Sequence, residues 1–117
     1  MSHTAGPVDV TTIRETADRI LCRDAVSPAE ADELAERLRG HVRVLMPEVA
    51  ALADALTVGG VAADDVRRCT SEADFWINIG RAFTERAHRR QMRELARAAR
   101  TLCWHYESLT AQAVVGR

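Results

Sequence analysis

Residues 27–56 read SPAEADELAERLRGHVRVLMPEVAALADAL, and this stretch decides the fold. It opens on a complete helix-start signal. Ser27 is a favourable cap, and Pro28 has the fixed φ suited to the first helical position. Glu30 stands three residues after Ser27, where its carboxylate reaches back to the cap amide. Beyond the cap, Ala35, Leu38, Val42, Leu45, Val49, Leu52 and Leu56 recur at alternating steps of three and four. That spacing is a heptad seam, the pattern of a helix that buries one stripe against another helix. Pro47 lies inside the seam, where it removes one backbone bond and crowds the carbonyl of Arg43. The seam keeps its phase across Pro47, so the spacing predicts one helix kinked there rather than two. Gly59-Gly60 is expected to end it.

Downstream, Asp64 and Asp65 suit the first turn of a third helix, where acids complement the positive end of the helix dipole. Val66, Cys69, Ala73, Trp76 and Ile77 give it an apolar face, and Asn78 to Phe83 reads as a connection. A fourth helix begins near Thr84, with Glu85 in its first turn. Met92, Leu95, Ala99, Leu102, Tyr106 and Leu109 form a second seam that should run to about Gln112. Upstream, Ile13, Ala17, Ile20 and Leu21 share one face of a first helix capped by Thr11 or Thr12. Residues 1–10 are expected to be a flexible tail, 11–113 a single helical domain, and 114–117 a frayed end. The fold class is therefore all-α: an antiparallel bundle of three to four helices, two of them long.

Composition narrows the function classes. Apolar residues make up 47% of the 117, ordinary for a globular chain, and the formal net charge is −1, so no global field draws a polyanion. No run approaches the roughly 18 apolar residues needed to span a bilayer. The start lacks the cationic and apolar regions of a signal peptide, which leads to the expectation of a cytoplasmic protein. All 16 basic residues are arginine, as GC-rich codon usage favours. Cys22, Cys69 and Cys103 are odd in number and far apart, which argues for free thiols over disulfides or a zinc site. No metal or cofactor is expected.

The two seamed helices should each approach about 40 Å, whereas a third helix of about sixteen residues covers little more than half that. Back-and-forth folding then leaves part of the last seam uncovered. Leu102, Tyr106 and Leu109, with Trp104 beside them, become a candidate interface for a homodimer or a helical partner.

Three constellations carry the other function classes. His105, Tyr106 and Glu107 lie together on the fourth helix, and His41 flanks the second seam. These four are the candidate acid–base or small-molecule-binding groups, although consecutive helical residues point about 100° apart and need help from another helix to converge. Two histidines fall short of a metal-ligand set. Arg86, Arg90, Arg93, Arg97 and Arg100, with Arg89 beside them, form a ridge that could meet phosphates. It has no interleaved aromatics, and Glu30, Asp32, Glu33 and Glu36 are available to pair with it, so a solvated or acid-paired face is the preferred reading and nucleic acid a secondary one. Phe75 with Trp76, and Phe83 with Trp104, are the candidate walls of an apolar pocket, with core packing as the default.

The segments LRGHVRVLMPEV (38–49) and LCWHYESL (102–109) resemble a family of small helical proteins from high-GC actinobacteria, whose names link them to natural-product biosynthesis clusters. The likeness extends over about residues 27–110. It implies a cytoplasmic helical protein in a biosynthetic setting and brings no catalytic residues with it. Trp104 stands where a polar residue is expected in relatives. Together these readings favour a non-enzymatic accessory or interaction protein acting through helix–helix contacts. A small enzyme or ligand-binding bundle using His41, His105, Tyr106 and Glu107 is the alternative, and a nucleic-acid-associated regulator using the arginine ridge is the second alternative.

Overall fold

The computed structural model describes residues 8–22, 27–56 and 61–115. They form four helices, α1 (Val10–Leu21), α2 (Pro28–Leu56), α3 (Val61–Asn78) and α4 (Glu85–Val115), with no strand among the described residues. The Gly59-Gly60 stop and residues 1–7 and 116–117 of the expected tails lie outside the described residues.

The start of α2 is built as its sequence dictates. The Glu30 amide donates to Ser27 Oγ at 3.2 Å, and the Ser27 amide donates back to Glu30 Oε1 at 3.3 Å. The helix then runs through Pro47 unbroken. Thr84 caps α4, its hydroxyl accepting the Ala87 amide at 3.1 Å. α1 differs from expectation. Its cap is Asp9, which accepts both the amide and the hydroxyl of Thr12. A carboxylate accepts two hydrogen bonds at once, and with Asp9 as cap the helix begins at Val10, ahead of either threonine. Val8 and Val10, assigned from sequence to the leading tail, pack against the core.

Side-chain pairings fix the direction of each helix. α1 runs antiparallel to α2, with Arg19 against Glu30 at one end and Asp9 under the field of His41 at the other. It is antiparallel to α4 as well, with Cys103 Sγ against the Val10 carbonyl and Arg100 against Asp18. α3 is antiparallel to α4: Cys69 meets Ala98, and Asp65 lies near His105. The two long helices are therefore parallel to each other, and Asp32 near the start of α2 bonds His88 near the start of α4. α2 and α4 touch, α1 contacts both, and α3 contacts both. The result is an up-down-up-down bundle whose diagonal pair forms the spine, with the shorter helices on either flank.

This arrangement removes the length mismatch. α2 and α4, of 29 and 31 residues, lie side by side within a molecule 48 Å long. Their seams bury each other: Leu38, Val42, Leu45, Val49, Leu95, Ala99 and Leu102 are essentially inaccessible. Near its end the buried stripe of α2 passes to Ala53, and Leu52 is half-buried. α4 meets three helices, so its buried face is wider than a seam. Ala96, Ala98 and Cys103 join it, small enough for close backbone approach.

Candidate functional site

The candidate acid–base groups do not converge. Glu107 turns toward α1 and pairs with Arg14 at 2.5 Å. His105 turns to the other flank, toward Asp65 of α3, and burial pushes its pKa down against a smaller opposing pull from that carboxylate. Tyr106 is half-buried, and its hydroxyl accepts the Val8 amide at 3.3 Å. His41 lies near Asp9, and its Nε2 is buried with no hydrogen-bond partner among the described residues. His105 and Glu107 thus serve opposite flanks of α4, and Tyr106 closes over the start of α1. The Asp9 carboxyl is held below its usual range by the Thr12 hydroxyl first, with His41 a lesser contributor.

The interface expected from the seam is also redistributed. Leu102 is 0% and Leu109 4% exposed within the single chain, because α4 packs against α1, α2 and α3 and the seam stays covered where an overhang was expected. Trp104 is the member of that set that faces outward, at 61% exposure, with its ring edge against His105 at 5.1 Å. Phe83 and Trp104 do not pair, because Phe83 precedes α4 and Trp104 lies about five helical turns along it. Phe75 packs edge-on to Trp76 at 4.9 Å but remains more than half exposed.

The arginine ridge is where geometry accumulates. Arg86, Arg90, Arg93, Arg97, Arg100 and then Trp104 follow one another at steps of four and three, so they form a single stripe down the outer side of α4. Among the described residues no ion pair joins the ridge to the acids of α2. Glu30 takes Arg19, Asp32 takes Arg81 and His88, and Glu36 takes Arg39, each a nearer base. Two members of the stripe are neutralised otherwise, Arg97 by Glu94 at 2.9 Å and Arg100 by Asp18 at 3.4 Å. Arg86, Arg89, Arg90 and Arg93 make no ion pair among the described residues.

Those four arginines line a groove of about 790 Å³ between the start of α4, the end of α1 and the first turn of α2. Its floor is apolar, built from Ile20, Ala31 and Met92, the first and last of them largely buried, and Glu85 and Glu94, already held by Arg81 and Arg97, also line it. A second hollow of about 470 Å³, lined by Arg14, Arg97, Arg100, Thr101 and Trp104, continues along the same stripe and shares Arg97 with the first. Arginine stems cover apolar floor while their heads stay wet, so this trough offers aliphatic surface and fixed positive charge together.

A polar cluster absent from the sequence reading ties together the starts of α2 and α4, and shares Glu85 with the lining of the trough. His88 Nε2 lies 2.7 Å from Arg81 Nη1 and 2.9 Å from Asp32 Oδ1, and Arg81 also reaches Glu85 at 3.3 Å. The His88 hydrogen bond, helped by the Arg81 charge, holds the Asp32 carboxyl below its ordinary range. Gln91 bonds the Ala82 amide and the Gly80 carbonyl, tying the α3–α4 connection to the same end. The signal for His88 was in the sequence: it stands four residues before Met92, in phase with the second seam. Among the described residues no three His, Cys, Asp or Glu side chains gather as a metal site, and no helix is long and apolar enough to cross a membrane.

The class so defined is a compact all-α four-helix bundle with a charged, partly apolar trough along one edge. Residues 11–111 match the model of DUF6415, a family of unknown function, and the chain belongs to that family. No curated protein and no solved structure matches the chain.

Proposed function

We propose that this protein is a non-enzymatic accessory protein that binds a protein partner along the outer stripe of α4, in support of natural-product biosynthesis. The observation that carries the reading is the set of four arginines that make no ion pair among the described residues, beside an apolar floor and outnumbering the two acids, Glu85 and Glu94, that line the same groove. Paired charges serve the fold, whereas the heads of a row of unpaired guanidinium groups around a concavity gain no ion pair within the described chain and suit recognition. The divergence of His41, His105 and Glu107 weighs against the enzyme alternative, since acid–base work needs groups within reach of one substrate atom. The biosynthetic and cytoplasmic setting rests on the resemblance carried by residues 38–49 and 102–109. The homodimer expected from sequence would have to use another face, because two-fold pairing of this trough with itself sets arginine against arginine.

The test is replacement of the chromosomal copy in a producing strain. Deletion should lower product output. His41→Ala with His105→Ala should restore it, and Arg90→Glu with Arg93→Glu should not, with each purified variant checked for native helicity. Restoration by the charge-reversed protein, or failure of the histidine variant, would overturn the proposal.

A further inference from the structure

We infer that the occupant of the trough is an amphipathic helix of another protein, with an aliphatic stripe flanked by carboxylates. This deepens the accessory reading above and rests on it. Charge complementarity gives the flanks: Arg86, Arg89, Arg90 and Arg93 are fixed on two turns of one helix, and a facing helix with acids three or four residues apart presents its carboxylates at the same repeat. Ile20, Ala31 and Met92 give the stripe, since a groove with an aliphatic floor takes Leu or Met side chains. A nucleic acid matches only half of this. It brings phosphates but needs a series of aromatic platforms or groove-reading helices; no aromatic side chain lines the larger groove, and a single one, Trp104, lines the smaller hollow. A net charge of −1 also supplies no long-range steering toward a polyanion.

A second copy of this chain fits poorly as well. The outer face of α3 carries Glu72 and Phe75, with Ile79 just past its end, but Arg68 shares that exposed side, and trough-to-α3 docking is head-to-tail, unlike the two-fold pairing commonest among oligomers. The hollow at Trp104 lengthens the surface to about four turns beyond Arg90, enough for a partner helix of ordinary length.

The probe is a fluorescent synthetic helix of about 20 residues with Leu on one stripe and Glu on its flanks. It is compared with a scrambled peptide of the same composition and with a short double-stranded DNA. Anisotropy at low salt should show the patterned peptide bound at least about tenfold more tightly than either control. Arg90→Glu with Arg93→Glu should weaken that binding about tenfold or more. Ala31→Glu sits near the start of α2, where an acid is tolerated, and should do the same by filling the floor with a competing carboxylate. Equal binding of the scrambled peptide, tighter binding of DNA, or indifference to both variants overturns the inference. If charge reversal abolishes product output while the purified protein ignores the patterned helix, the accessory reading stands and the partner chemistry fails. If output is indifferent to charge reversal, both fail.

Discussion

Truncation of Leu102 separates a core role from an interface role. The side chain has no exposure in the isolated chain, where it lies on the α4 seam against the rest of the core. Leu102→Ala removes about three carbon groups at about 0.8 kcal/mol each, or about 2.5 kcal/mol of lost burial. The cavity left in a closely packed seam adds to this, bringing the expected loss to about 3–4 kcal/mol. For a domain of this size that corresponds to a melting temperature lower by about 12–16 °C. The assay is urea unfolding followed by far-UV circular dichroism at two protein concentrations. The loss should be the same at both, because the contacts are intramolecular. Trp104→Ala, two residues away but more than half exposed, should cost less than about 0.5 kcal/mol in the same experiment. A loss below about 1 kcal/mol for Leu102→Ala, or one that appears only at the higher concentration, would refute the intramolecular packing of the α4 seam.

The Asp32 cluster and the thiols give further predictions. Asp32 has a folded pKa below its usual 3.8, so its pairing stabilises the protein fully above that value and is lost as pH falls through the lower folded one; Asp32→Asn should flatten the stability–pH curve below about pH 4, and an unchanged curve would contradict the His88–Asp32 bond. Burial pushes the Cys69 and Cys103 thiols up to about 11, whereas Cys22 is exposed. A thiol-specific reagent at neutral pH should therefore modify Cys22 quickly in the native protein and reach Cys69 and Cys103 only on unfolding. Fast modification of Cys103 would contradict its place under α1.

The features legible in the sequence were those written over short spans. The Ser27–Glu30 box, the Thr84 cap and both three-four seams depend on residues within a turn or two of each other, so spacing alone revealed them. The start of α1 was harder, because Asp9, Thr11 and Thr12 are all competent caps and the choice depends on where the chain docks: Val8 and Val10 reach Tyr106 and Cys103, nearly a hundred residues away. The convergence of the candidate acid–base groups was beyond spacing for the same reason. Proximity in sequence grouped His105, Tyr106 and Glu107, but on a helix that very proximity sends them to different neighbours.

From the chain alone, then, came the helical class, the four segments and the stripes that each must bury, since periodicity is a local property of the backbone. Tertiary structure decided that the long helices run parallel and that Leu102 and Leu109 are core. It also decided which arginines find acids and which face an open trough. Ion pairing and burial depend on how distant segments are oriented, and Arg14 with Glu107 or Asp18 with Arg100 meet only after the helices have packed.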